Sequence, residues 1–184
     1  MKLLLITLTV LQSFFAALEQ KTMQSEITIS IADSKTQPIT YSGNITIHGK
    51  QFALEMFSME AAYDGKTLYM YSEDTEELTL STPTEEELIE TNPFLYAQAL
   101  LPICQYAEKE VDEKTQITLT PYDSAAGISK FIIRVATTDL RPISTEIHEM
   151  DGKVTTLRFT NPQYTNNPPI FSIQKEGAFI NDLR

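Results

Sequence analysis

The sequence has few residues of the types that build metal sites and disulfides, with one cysteine, two histidines and no tryptophan among 184 residues. A single cysteine, Cys104, cannot form an intramolecular disulfide or a multi-cysteine zinc site, and two histidines cannot form a His-rich metal site. Cys104 also lies too far from the N-terminus to be the lipid-bearing cysteine of a bacterial lipoprotein, which favours a small buried apolar role. We therefore expect neither a metal nor a cofactor.

The common signatures of catalysis are missing too. There is no Gly-x-Ser-x-Gly, no phosphate-cradling glycine-rich loop and no HExxH. His48 and His148 alternate with apolar neighbours, which predicts positions on the polar faces of strands rather than in a catalytic cluster. The sequence predicts a protein that is not an enzyme and has no catalytic residues.

Positive charge is also scarce, since 14 basic residues face 25 acidic ones and the formal net charge is −11. Such a surface repels phosphates, so a nucleic acid is not an expected partner, and anionic head groups are disfavoured as well. The acidity is typical of a soluble surface, and docking on a basic partner surface is the alternative.

Residues 1–17 allow two interpretations. Lys2, the apolar run over 3–11 and the small residues Ala16 and Ala17 resemble a secretory signal, and the run is too short to cross a bilayer as a helix. However, Leu4, Leu8, Leu11, Phe15 and Leu18 recur at spacings of three and four, which is typical of an amphipathic helix. We favour a signal over 1–17 followed by a single domain over 18–184, with the amphipathic helix as the alternative.

Beyond residue 25 the apolar residues recur with a period of two, which predicts half-buried antiparallel strands. The period begins with Ile27, Ile29 and Ile31, and strands are predicted up to a last one over 170–173. Gly49-Lys50, Asp64-Gly65 and Asp151-Gly152 occur where hairpin turns belong.

One stretch, from Thr82 to Leu101, has the signals of helix instead. Thr82 and Glu85 form a capping-box pattern, and Asn92-Pro93 has the N-cap and first-turn residues of a second short helix. We therefore predict a mainly β fold of about 10–11 strands, curved into a half-open antiparallel barrel with a helical lid. If the helices do not fill the concave side, an apolar cleft remains.

Several motifs resemble those of the LolA-like outer-membrane lipoprotein carrier family, in the branch seen in Bacteroidetes-type bacteria. Their order and spacing extend the resemblance from about residue 24 to residue 184. They are Tyr41-Ser42-Gly43 with Gly49-Lys50-Gln51-Phe52, Asp64-Gly65-Lys66-Thr67 with Tyr69 and Tyr71, Pro83-Thr84-Glu85, Asn92-Pro93, Asp151-Gly152-Lys153 and Asp182-Leu183-Arg184.

The resemblance implies a half-open barrel whose helices cover a hydrophobic cavity. It implies a periplasmic carrier that shelters the acyl chains of lipoproteins, or other lipids, and shuttles them toward the outer membrane. An inner-membrane release complex and an outer-membrane acceptor would be its partners, and we expect a monomer. The alternative on the same fold is a lipid- or peptide-recognising interaction or sensor domain that does not transport.

Two features bear on the details of this expectation. Enteric members hold the lid with an arginine, whereas the matching turn here reads His48-Gly49-Lys50-Gln51, so closure is expected to rest on apolar contact. The family also has a helix that begins roughly where Thr9 stands. The residues we expect to line the cleft come from strand faces and the helical stretch: Phe52, Leu54, Met56, Leu68, Met70, Phe94, Leu95, Leu100 and Leu101.

Overall fold

The computed structural model describes residues 9–33 and 36–184, and three α-helices lie within these ranges. They are α1 (Val10–Gln20), α2 (Glu85–Thr91) and α3 (Pro93–Leu100), and two 3-10 turns cover Leu101–Ile103 and Ser124–Ala126.

The rest of the regular structure is a single twelve-stranded sheet. In chain order its strands are β1 (Thr22–Asp33), β2 (Thr36–His48), β3 (Gln51–Met56), β4 (Met59–Tyr63), β5 (Leu68–Ser72), β6 (Glu77–Ser81), β7 (Cys104–Val111), β8 (Lys114–Pro121), β9 (Ile128–Ala136), β10 (Pro142–Glu149), β11 (Val154–Thr165) and β12 (Phe179–Asp182). The spatial order is β12-β6-β5-β4-β3-β2-β1-β11-β10-β9-β8-β7, with β12 and β7 as the edges. All neighbours are antiparallel except β12 and β6. The mainly β, unclosed architecture is therefore confirmed, with one strand more than predicted.

Alternation decides which side of the sheet each residue faces, because successive side chains of a strand point to opposite faces. In register, Ile45 lies opposite Leu54, and Ile47 lies opposite Phe52. The helices pack on this apolar face, which we call the concave face. The predicted turns are confirmed at Gly49, Gly65 and Gly152, whose positive φ angles favour glycine.

Helix α1 packs on the domain as an amphipathic helix, with Leu11, Phe14 and Leu18 buried on one side. Thr9 caps it in a reciprocal box with Gln12. This agrees with the helical interpretation of the segment and with the start at Thr9 that the family resemblance implies. Residues 1–8 lie outside the described residues, and export with cleavage near Ala17 stays a prediction.

The two predicted short helices are confirmed, but the capping residue was assigned wrongly. Thr84 caps α2 in a box with Glu87, whereas Thr82 and Glu85 were expected. The pairs have the same spacing, and Pro83 lies outside the helix, before its cap. Asn92 caps α3 through its side-chain oxygen, as predicted.

The strand predicted at 170–173 is wrong. This segment has no strand pairing, although Phe171 and Ile173 are buried. Ile173 packs against Ala62 and Leu78 on the opposite, convex face of the sheet, which explains its apolar pattern without a strand. The strand that sequence reasoning missed is β12, which pairs in parallel with β6.

No helix in the described ranges is both long and apolar enough to cross a membrane.

Candidate functional site

An open cleft of about 610 Å³ lies on the concave face beneath the helical segment. Its floor comes from the concave sides of the strands and includes Ile29, Leu54, Thr145, Ile147, Thr155 and Leu157. The helical segment contributes Ile89, Thr91, Pro93 and Tyr96. The turn before β9 and the first residue of that strand contribute Ala126, Gly127 and Ile128. The volume is in the range of small-ligand sites, and the walls are mainly aliphatic.

One lining residue is charged, Glu149 at the end of β10. Its carboxylate lies 2.6 Å from the Lys153 ammonium across the Asp151-Gly152 turn, and both side chains are partly exposed. The pKa of Lys153 is raised chiefly by this hydrogen bond. Burial raises the pKa of Tyr96, and the charge of Glu149 raises it further. Both Lys153 and Tyr96 keep their protons at neutral pH.

The opposite end of the concave face is filled. Phe94 of α3 lies between Phe14 of α1 and Phe159 of β11, with ring centroids 5.1 Å and 5.5 Å away. At the border with the cleft, Tyr96 packs edge-on against Phe131 of β9 at 5.6 Å. Because α1 and α3 occupy this region, the cleft is confined to the end of the sheet that carries the Asp151-Gly152 turn.

The nine predicted lining residues fall in different places. Leu54 lines the cleft. Five others are buried in the main core: Phe52, Leu68, Phe94, Leu95 and Leu100. Met56 and Leu101 pack against that core while partly buried, and Met70 is 38% exposed.

Most of the cleft comes from residues that sequence reasoning did not select. Ile29 and Ile147 were recognised as strand residues, but their meeting beneath Ile89 depends on the pairing of β1, β11 and β10. Thr145 and Thr155 carry no apolar signal. The helical stretch did contain a sequence signal for the cleft. Ile89, Pro93 and Tyr96 are apolar or aromatic residues that alternate with the residues that α2 and α3 bury.

The potentially reactive side chains lie elsewhere. Cys104 is buried, and burial raises the pKa of its thiol, so it stays protonated. His48 shares a 3.3 Å hydrogen bond with Thr22. His148 lies 3.0 Å from Glu146 on the convex side, where Glu146 also pairs with Arg134. None of these residues lines the cleft, whose described walls offer binding surface rather than a nucleophile with its base.

The sequence and the fold resemble those of known proteins. The family model described as outer membrane lipoprotein carrier protein LolA matches residues 48–174. No curated protein matches the chain.

Several solved structures are similar to this chain at low sequence identity. A conserved protein of Thermus thermophilus superimposes with a TM-score of 0.62 at 12% identity, over 95% of this chain and 99% of that one. The Pseudomonas aeruginosa MucA/MucB complex gives a TM-score of 0.52 at 14% identity, over 87% of this chain and 57% of that one. A LolA superfamily protein of Nitrosomonas europaea gives 0.41 at 11% identity, over 88% of this chain and 96% of that one. The family match covers well over half of the sequence, and the chain belongs to the LolA family.

Proposed function

We propose that this protein is a periplasmic carrier that holds the acyl chains of lipoproteins, or of other lipids, in the cleft and shuttles them toward the outer membrane. The observation that carries the proposal is the apolar cleft of about 610 Å³ between the sheet and the helices of a LolA-family chain. Transfer of an acyl chain from water to such walls is favourable by about 0.8 kcal/mol per CH₂ group. A carrier needs this apolar area and a route of entry, and it needs no reactive group.

The route of entry follows from the unequal anchoring of the two helices. Helix α3 buries Phe94, Leu95, Ala97 and Leu100, whereas the side chain known to be buried in α2 is Leu88. Each buried large apolar side chain stabilises its helix by about 1.5–3 kcal/mol. Displacement of α2 is therefore much less costly than displacement of α3. We propose that α2 is the movable part of the lid and that α3 stays in place.

Ligand binding by matched variants tests the carrier proposal. Leu54→Gln and Leu80→Gln make the same change at partly buried strand positions, one in the cleft and one in the convex-face cluster. We expect Leu54→Gln to weaken binding of the neutral dye Nile red by about tenfold, because it places an amide where an alkyl chain would lie. Leu80→Gln should bind the dye like the parent, once thermal unfolding has shown both variants folded. Equal binding by both would contradict the assignment of the cleft.

The natural ligand is tested by mass spectrometry of an organic extract of the protein purified from a Gram-negative periplasm. A carrier should yield acyl species. An extract without acyl species, together with saturable binding of a peptide, would favour the non-transporting recognition domain instead.

Hydrogen exchange with and without a long-chain acyl ligand tests the lid. We expect protection to change over 85–91 more than in the strands around Ile45 and Phe131, and to change little over 93–100. Equal exchange over 85–91 in both states, with binding confirmed independently, would show that α2 is a fixed plug.

A further inference from the structure

The charge at the open end of the cleft bears on which ligands enter it. The lining described above contains one carboxylate, Glu149, and no lysine or arginine. Glu149 pairs with Lys153, which is hydrogen-bonded to it and is not part of the lining. Asp151 also acts on Lys153 electrostatically. Within the described part of the chain, Glu149 and Asp151 therefore share one ammonium group, and the summed charge of these three side chains is negative.

This distribution acts on the head group of a bound ligand. With its chain along Ile29, Leu54 and Leu157, a ligand can reach the rim with its polar end near Glu149 and the Tyr96 ring. A carboxylate or phosphate there would meet a like charge in a partly desolvated place, where repulsion is stronger than in water. An ammonium or amide N–H would instead donate a hydrogen bond to the carboxylate.

We propose, on the basis of the proposed lipid-binding function, that Glu149 makes the cleft selective for acyl or alkyl ligands whose head groups are cationic or neutral hydrogen-bond donors, and that it excludes anionic lipids. Lys153 is not the receptor for an anionic head group. Its charge is already shared with Glu149, and an anion that reached it would lie beside that like-charged carboxylate.

Three ligands with matched sixteen-carbon chains test this selectivity: palmitate, palmitamide and hexadecylammonium. Each is used below its aggregation concentration to displace Nile red at neutral pH and low salt. We expect the amide and the ammonium compound to bind about tenfold more tightly than palmitate. We call the ratio of these affinities the gap. Raising the salt concentration should narrow the gap between palmitate and the ammonium compound, because salt screens charge interactions at a partly exposed site.

Variants assign the effect to Glu149. Glu149→Gln should bring palmitate to within about threefold of the amide. Glu110→Gln makes the same change in net charge at an exposed position on β7 and should leave the gap unchanged. Lys153→Gln should widen the gap, since it leaves Glu149 uncompensated. The alternative, in which Lys153 binds the anion directly, predicts a different result. Lys153→Gln would then weaken palmitate binding at least as much in the Glu149→Gln background as in the parent protein.

The experiment distinguishes failure of the charge selectivity from failure of the proposed lipid-binding function. Displacement of the dye by all three ligands with equal affinity, or an unchanged gap in Glu149→Gln, would overturn the charge selectivity and leave the lipid-binding function standing. Absence of displacement by any of the three would overturn the proposed function and the selectivity with it.

Discussion

Replacement of Phe14 by alanine tests whether α1 is a permanent part of the folded domain. The Phe14 side chain is fully buried and packs edge-on against Phe94 at 5.1 Å. Truncation of such a phenylalanine removes its apolar contacts and leaves a cavity between two helices, which costs about 3–5 kcal/mol. That is a large part of the roughly 5–15 kcal/mol that stabilises an ordinary domain.

The assay is urea unfolding of the parent, Phe14→Ala and Phe15→Ala proteins, with intact mass measured on each. Phe15 is a neighbouring partly buried ring, so its truncation removes less apolar area and should cost about 1–2 kcal/mol. The Phe14 variant should also melt about 6–20 °C lower than the parent, at roughly 2–4 °C per kcal/mol for a chain of this size.

The result also decides between the two interpretations of residues 1–17. If export removes the chain up to Ala17, residue 14 is absent from the mature protein and the substitution cannot change its stability. A loss below about 1 kcal/mol in a protein whose mass includes residue 14 would refute the packing argument itself.

Two further changes probe polar groups of the fold. Asn92→Ala should destabilise the protein by about 1–2 kcal/mol, because the Asn92 oxygen accepts from the backbone N–H groups of Phe94 and Leu95 at the start of α3. Asn92→Ser should cost less in the same urea titration, since serine can cap the helix and removes a buried amide N–H that has no partner within the described part of the chain. Burial alone would raise the pKa of Glu146, but hydrogen bonds from Arg134 and His148 outweigh it and hold that pKa below 4.5. This group therefore stabilises the fold at neutral pH, and the contribution disappears as the pH falls below 4.5 through the lowered pKa. Glu146→Gln should accordingly be less stable than the parent at pH 7 and should lose less stability on acidification, and parallel loss in both proteins would contradict the assignment.

The sequence predicted the fold well because its strongest signals are local. Alternation over Ile27, Ile29 and Ile31 and glycines with positive φ at Gly49 and Gly152 define hairpins without knowledge of distant residues. Strand β12 was not predicted, because a strand that pairs in parallel at the edge of a sheet gives no hairpin signal. Residues 170–173 were wrongly predicted to form a strand, because burial against the convex face produces the apolar pattern of a strand.

The cleft was much harder to predict than the fold. Its lining depends on which strands become neighbours and on how far the helices extend over them, and neither is encoded in any short segment. Glu149 illustrates the limit, because in sequence it is one of 25 acidic residues. It becomes the charged residue of the cleft through its position at the end of β10, on the side that faces Tyr96.

Strand β3 shows how one strand contributes to both the core and the cleft. Its alternate residues Phe52, Leu54 and Met56 all face the concave side, yet Phe52 is fully buried, Leu54 lines the cleft and Met56 is only partly buried. The difference arises because α1 and α3 cover the Phe52 end of the strand and leave the Met56 end open. Apolar residues with the same alternation along a strand can therefore have different roles, one in the core and another in the cleft. Substitution near Phe52 should act on the free energy of unfolding, and substitution at Leu54 should act on ligand affinity. The helices that stabilise the sheet also determine which part of its concave face stays available to a ligand.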